Sequence, residues 1–193
     1  MLVNNEEQQM VNESTYRALG LFVIRFAGLL HSLETSTIQL FGVDADYNRN
    51  LLFGAALADR TAAPIVSAYI SVFMQKWEGQ MTAEDCKIIK CLRRELDDVV
   101  QKRNRLMHDA WMYTTGSQPS YPLSLHRVRA HGKGAEYESV DYPPTKLDEL
   151  SNGLERLASV VNAVVWYRRP GQVGPELHLR LRVIDGEVTR IQS

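Results

Sequence analysis

The chain has 193 residues, of which 45% are hydrophobic and 23% are charged, and its 22 Lys and Arg residues balance 23 Asp and Glu residues. This length and composition predict one domain whose hydrophobic core needs neither a metal nor a disulfide to hold it together. A formal charge of −1 argues against binding to nucleic acid through bulk positive charge, although a local basic site is compatible with it.

The composition also indicates a soluble protein in a reducing compartment. Cys86 and Cys91, the only cysteines, lie in a charged stretch that looks helical, which favours reduced thiols over a disulfide or a zinc site. The segment 1–13 is polar and acidic, unlike a signal peptide. The most apolar run, 21–30, contains Arg25 and is half as long as the roughly 20 residues that a membrane span needs. We therefore expect a cytoplasmic protein without membrane contact.

Two helical segments are predicted in the first half of the chain. Apolar residues at helical spacing indicate a first helix over 14–40. A second helix begins after Asp46, a plausible N-cap, and reaches Trp77. Within it, Pro64 either kinks the helix or opens a new helix that Thr61 caps.

Two further helices follow. Thr82 and Asp85 form a capping-box-like start to a third helix, which continues to about Tyr113. A closing helix spans 145–169 and begins just after two prolines. Its apolar residues have the 3-4 spacing of a helix-bundle seam, namely Leu147, Leu150, Leu154, Leu157, Val161 and Val164.

The remaining segments predict small β accessories. The insertion 114–144 is rich in Gly and Pro and contains a possible hairpin, in which 125–129 and 136–140 flank a glycine-containing turn. The tail 177–191 alternates apolar and polar residues and then turns at Asp185-Gly186 into a second hairpin. One arrangement would pair these strands as a single sheet beside the helices. We expect one mainly all-α domain over 1–193, an up-down bundle of four to five helices with a small β-hairpin accessory.

The end of the third helix breaks its own apolar pattern. Arg103 falls at the centre of the helix's apolar seam, where burial of an unpaired guanidinium costs several kcal/mol in rough terms. Asn104 and His108 are four residues apart and lie together on the flank of that seam. Such a conflict between local pattern and overall fold often marks a functional site. The seam itself is formed by Ile89, Leu92, Leu96, Val99, Leu106 and Ala110.

Arg103, the Asn that follows it and His108 resemble the Arg-x(4–6)-His motif of HEPN domains, which are small helical domains of bacterial toxin–antitoxin, abortive-infection and other RNA-targeting systems. The position near the end of a long helix, before an insertion and a closing helix, supports the resemblance. It covers 82–168 well, and 14–77 only as long helices in the same order.

The resemblance implies a metal-independent endoribonuclease that uses no cofactor and acts as a homodimer with two motif copies in one cleft. His108 would be the general acid/base acting on the ribose 2′-hydroxyl or the leaving oxygen. Arg103 would orient the scissile phosphate and stabilise its charge, and Asn104 would hold the imidazole or contact the phosphate. Lys102 and Arg105 would bind the RNA backbone, in a stretch, 87–105, with a net charge of +4.

One departure from the family concerns its partners. Toxins that are paired with a nucleotidyltransferase antitoxin often carry a Tyr two residues after the motif His, whereas this chain has Ala110. An antitoxin protein of another kind would be compatible with the motif. This difference weakens the expectation of regulation by modification of that tyrosine.

Alternative interpretations do not need catalysis. Arg103 could form a buried ion pair with an acid of the first two helices, such as Glu34 or Asp59, and His108 could be an ordinary helix-end histidine. The domain would then be a non-catalytic HEPN-like module that binds RNA, a nucleotide or a partner protein. A helical oligomerisation protein is a third class.

Overall fold

The computed structural model describes residues 5–41, 60–113, 123–131, 134–166 and 174–191. Within these ranges the chain forms four helices: α1 (Asn5–Leu40), α2 (Ala62–Lys76), α3 (Ala83–His108) and α4 (Pro144–Trp166). The prediction of a mainly helical fold with small β accessories is confirmed.

The start of α2 decides between the two alternatives for Pro64. Thr61 is the N-cap residue with extended backbone, and Pro64 is the third residue of the helix. Proline is tolerated in the first helical turn because its missing N–H has no intrahelical acceptor there. A new helix therefore opens near Pro64. The predicted start of the second helix after Asp46 lies outside the described residues.

Helix α3 begins as predicted and ends earlier than predicted. The Thr82 hydroxyl accepts the Asp85 N–H and the Asp85 carboxylate accepts the Thr82 N–H, both at 3.1 Å, so the capping box is present. The prediction that the helix continues to about Tyr113 is wrong. The chain bends at Asp109 and Ala110–Tyr113 is strand β1. Its Trp and Tyr residues favour strand over helix.

Strand β1 opens a three-stranded antiparallel sheet in the order β1-β2-β3, with β2 (Leu123–His131) and β3 (Gly134–Asp141). The predicted hairpin is confirmed, with Leu125 opposite Val140 and Arg129 opposite Glu136. Strand β1 was not predicted. Its register places Ala110 opposite His126.

The C-terminal strands form a separate sheet in the described chain, β4 (Leu181–Ile184) with β5 (Glu187–Arg190), so the single-sheet arrangement is not found. The prediction that the C-terminal hairpin starts with a strand at residue 177 is also wrong. Leu177–Leu179 is a 3-10 turn, because the His178 N–H donates to the Asp85 carboxylate rather than to a strand. The turn at Asp185-Gly186 is confirmed, and both residues have positive φ.

The described residues fall into two compact units. The first is taken from Met1–Phe26 and Gln101–Gly153, and the second from Ala27–Val100 and Leu154–Ser193. The core of the first unit contains Phe22, Phe26, Leu106, Leu125 and Leu147. The core of the second unit is larger and contains Leu33, Ile65, Tyr69, Phe73, Ile88, Leu92, Leu96, Leu157 and Val161. Most predicted seam residues of α3 and α4 are therefore buried.

Helix α1 has a stretch, Glu13–Leu40, that is long and apolar enough to cross a membrane by length and composition. It is the only such helix in the part of the chain that the structure describes. Core helices of soluble proteins meet the same criterion, and Phe22, Phe26 and Leu33 of this stretch are buried. The fold is compatible with a soluble protein.

Candidate functional site

The residues of the HEPN-like motif lie on the last two turns of α3, in the first unit. Arg103 is half-buried, and Asn104 and His108 are exposed. Asn104 and His108 are separated by one helical turn, so their side chains are neighbours. Arg103 and His108 are five residues apart, so their Cβ atoms are about 140° apart around the helix axis.

Arg103 has an aromatic partner rather than a carboxylate. Its guanidinium carbon lies 5.8 Å from the centroid of the Phe26 ring, and its Nη1 donates to Asn104 Oδ1 at 3.2 Å. None of the described carboxylates forms an ion pair with Arg103, and Asp59 lies outside the described residues. A cation–π contact leaves most guanidinium N–H groups free to bind an anion, which a buried ion pair would not.

His108 is the final residue of α3 and is exposed. Among the described residues its imidazole has no hydrogen-bond or ion-pair partner. An imidazole side chain can act as a proton donor or as a proton acceptor. Asn104 connects the two ends of the motif, because it accepts from Arg103 and lies one turn before His108.

The two predicted RNA-binding cations occupy different environments. Lys102 is exposed. Arg105 donates from Nη2 to Glu138 of β3 at 2.6 Å and lies 3.8 Å from Asp109. The hydrogen bond to Glu138 raises the pKa of Arg105. Arg105 therefore links the end of α3 to the sheet, a role that its position in a basic run did not reveal.

A second cation and a tyrosine lie beside this ion pair. Tyr142 is 8% exposed, and burial raises the pKa of its hydroxyl. The ammonium of Lys146 lies 4.4 Å from the centroid of the Tyr142 ring. Neither residue was predicted for the site, because their only sequence signal is a Tyr-Pro-Pro segment before α4.

An aromatic pair lies on the sheet that follows the motif. The Tyr137 ring is 5.3 Å from the His126 ring, with 36° between their planes, and its hydroxyl is hydrogen-bonded to His126 Nδ1. Tyr137 is 61% exposed. The contact between His126 and Tyr137 was not predicted, because it depends on the register of the two strands.

The second unit contains a histidine–carboxylate pair that the sequence did not indicate. Asp85 is 1% exposed and its Oδ1 accepts from His178 Nδ1 at 2.9 Å and from the His178 N–H at 3.1 Å. Burial alone would raise the pKa of Asp85, but the hydrogen bonds from His178 and Thr82 outweigh it and lower that pKa. These contacts fix the C-terminal segment to the start of α3.

Charged side chains also hold the β4–β5 hairpin in the second unit. Glu95 accepts the Val188 N–H at 2.6 Å and forms an ion pair with Arg156, which in turn donates to the Val188 carbonyl. Cys91 donates to the Gly186 carbonyl at 2.9 Å. Because every group here has a partner, this cluster has a structural role.

Both cysteines are free thiols. Cys86 is half-buried at the wall of a cavity of about 410 Å³, lined mainly by apolar side chains that include Met74, Trp77 and Met81. Within the described ranges, no group of three or more His, Cys, Asp or Glu residues is arranged to hold a metal ion.

No protein-family model, no curated protein and no solved structure matches this chain.

Proposed function

We propose that the protein is a metal-independent endoribonuclease of HEPN type, with its active site at the end of α3. The observation that carries the proposal is the exposed imidazole of His108, which has no partner among the described residues and lies one turn beyond Asn104. Asn104 in turn accepts a hydrogen bond from the half-buried Arg103. This arrangement places a proton carrier and an anion-binding fork on one helix end. His108 is exposed and Arg103 is half-buried.

The chemistry follows from these groups. His108 takes the proton from the ribose 2′-hydroxyl while water protonates the leaving 5′-oxygen, or water takes that proton while the protonated imidazole of His108 gives one to the leaving oxygen, as the 2′-oxygen attacks the adjacent phosphorus. The P–O bond to the 5′-oxygen breaks, so the products are a 2′,3′-cyclic phosphate and a 5′-hydroxyl. Arg103 stabilises the charge on the phosphoryl oxygens, and its contact with Phe26 holds it in place.

The other predicted residues support binding. Asn104 orients the guanidinium through their shared hydrogen bond, and exposed Lys102 contacts the RNA backbone. Arg105 acts through the protein, because its ion pairs with Glu138 and Asp109 position the sheet against the helix end. In RNA binding, the positive charge of Arg105 offsets the negative charges of these two carboxylates, which would otherwise repel the RNA phosphates.

We further propose a cytoplasmic homodimer that brings two motifs into one cleft and whose activity an antitoxin protein blocks. Helix α1 carries exposed apolar side chains, including Tyr16 at 56% and Ile24 at 70% exposure, and such exposure is common at protein interfaces.

Sedimentation should give the mass of a dimer at tens of micromolar, and Ile24→Glu should shift it to monomer. A monomeric wild type would contradict the proposed assembly. Binding to lipid vesicles, lost in Ile24→Glu, would assign this face to a membrane instead.

The reaction is tested by incubating purified protein with single-stranded and structured RNAs in EDTA. The wild type should cut RNA, leave DNA intact because DNA lacks the 2′-hydroxyl, and produce cyclic-phosphate and 5′-hydroxyl ends. His108→Ala should reduce the rate by about 100-fold or more. The matched control is Met107→Ala, which truncates the adjacent exposed side chain and should retain the rate.

Two outcomes would overturn the proposal. If no RNA is cut, the protein is a non-catalytic module that binds RNA, a nucleotide or a protein. If His108→Ala cuts as fast as the wild type, the activity belongs to another site or to a contaminant.

A further inference from the structure

The aromatic pair on the β2–β3 hairpin has the properties of a binding surface. An exposed tyrosine is usually free to rotate, but the hydroxyl of Tyr137 is held by His126 Nδ1, and the two rings are in contact. A ring that is already fixed loses little conformational freedom when a ligand packs on it. Its 61% exposure leaves room for such a ligand.

The surroundings of Tyr137 leave its ring accessible. Its neighbours on the same face of β3 are Ala135 and Ser139, since alternate residues of a strand share a face. Both are small, exposed and uncharged. The acidic residues Glu136 and Glu138 lie on the opposite face, where Glu138 is neutralised by Arg105. An exposed aromatic ring with small, uncharged neighbours on its own strand therefore faces solvent.

The sheet register places this surface close to the motif. Ala110 pairs with His126, and Ala110 follows His108 by two residues. Two residues of chain span at most about 7 Å, and paired strands add about 5 Å between Cα atoms. The Cα atoms of His126 and His108 therefore lie within about 12 Å of each other, which a single RNA strand can bridge.

We propose that Tyr137, braced by His126, is a stacking subsite for one unpaired nucleobase next to the phosphodiester at His108. This inference rests on the proposed nuclease function and adds a residue that selects unpaired RNA. Unpaired bases stack on aromatic side chains without regard to sequence, whereas the bases of a duplex are already stacked on each other. The subsite would therefore distinguish a single strand from a duplex.

The test measures RNA affinity in the His108→Ala background, in which RNA is not cut. A fluorescent single-stranded oligoribonucleotide and a hairpin duplex are titrated by anisotropy at one fixed salt concentration. Tyr137→Ala should weaken binding of the single strand by about 10- to 100-fold and leave binding of the duplex unchanged. Tyr137→Phe keeps the ring but loses the bond to His126, so it should lose only about 2- to 5-fold. Phe41→Ala removes another exposed aromatic side chain, in the second unit, and should have no effect.

The subsite is overturned if the protein does not bind the single strand, or if Tyr137→Ala weakens neither probe or weakens both equally. Circular dichroism melting of each variant confirms that it is folded. Different results would contradict the subsite proposal and the nuclease proposal. If the wild type does not cut RNA but Tyr137→Ala weakens single-strand binding, the subsite stands and the nuclease proposal falls. If Tyr137→Ala binds and cuts single strands like the wild type, the nuclease stands and the subsite falls.

Discussion

The two ends of helix α3 differ in how their polar side chains are satisfied. At the N-terminal end, Asp85 is buried and accepts three hydrogen bonds, two of them from His178. At the C-terminal end, His108 is exposed and lacks any partner among the described residues, and Arg103 contacts a phenyl ring. The hydrogen-bonding capacity of the carboxylate at the N-terminal end of α3 is therefore used, whereas part of the capacity of Arg103 and His108 at its C-terminal end is unused within the described residues. We call these the saturated and the unsaturated end of α3.

The comparison shows why a histidine beside a carboxylate is not by itself an active site. His178 and Asp85 have the geometry of a catalytic pair, but their hydrogen bonds join two segments of the fold. Among the described residues His108 has no such structural contact, so no hydrogen bond in that part of the chain accounts for its presence. An exposed imidazole whose hydrogen-bonding capacity is unused is available to a ligand.

The largest expected effect is on stability at the saturated end. Asp85→Ala removes the capping box and leaves His178 without its partner, so we expect about 3 to 5 kcal/mol less free energy of unfolding. Urea unfolding followed by circular dichroism measures this loss. Thr82→Ala, which removes only the cap hydroxyl, is the control and should cost about 1 kcal/mol. A loss below that of Thr82→Ala would show that the saturated cluster does not hold the fold.

At the unsaturated end, Arg103→Ala should affect activity more than stability. The loss of phosphate stabilisation should lower kcat/KM for RNA by about 100-fold or more. The free energy of unfolding should fall by only about 1 kcal/mol, because a cation–π contact is lost and no carboxylate is left unpaired. Arg103→Lys keeps the charge without the planar fork and should recover part of the activity. Destabilisation of several kcal/mol without further loss in activity per folded molecule would make Arg103 structural.

The smallest expected effect is the pH dependence of the stability that Asp85 provides at the saturated end. The folded-state pKa of Asp85 is lowered, so its ionised form stabilises the fold above the ordinary carboxyl pKa near 4 and this contribution is lost as the pH falls through the lowered value. The gap in unfolding free energy between wild type and Asp85→Asn should be constant above about pH 5 and narrow below about pH 4. If this difference in unfolding free energy instead increases as the pH falls, the predicted direction of the pH dependence is wrong.

Local sequence patterns predicted the features that depend on neighbouring residues. The apolar spacing in α3 and α4, the capping box of Thr82 and Asp85, and the turn at Asp185-Gly186 are all interactions within a few residues. The early end of α3 also had a local signal, because Trp111 and Tyr113 favour a strand. That signal was weaker than the continuing helical period and was overlooked.

Contacts between distant residues were not predictable in this way. His178 and Asp85 are 93 positions apart, and nothing near either residue indicates the other. The candidate site was predicted because Arg103, a charged residue, interrupts the apolar seam of α3. Its aromatic partner Phe26 lies on another helix, so the sequence near Arg103 did not indicate it. The pairing of His126 with Tyr137 depends on strand register, which the hairpin pattern alone did not resolve.

The most direct test compares the two histidines in matched variants, His108→Ala and His178→Ala, by RNA cleavage in EDTA and by urea unfolding. We predict opposite results. His108→Ala should lose about 100-fold or more in cleavage rate and stay within about 1 kcal/mol of the wild-type stability. His178→Ala should lose about 2 kcal/mol or more of stability, because buried Asp85 loses its partner, and keep the cleavage rate per folded molecule. Equal destabilisation by both variants, or equal loss of cleavage, would contradict the assignment of structure to one end of α3 and catalysis to the other.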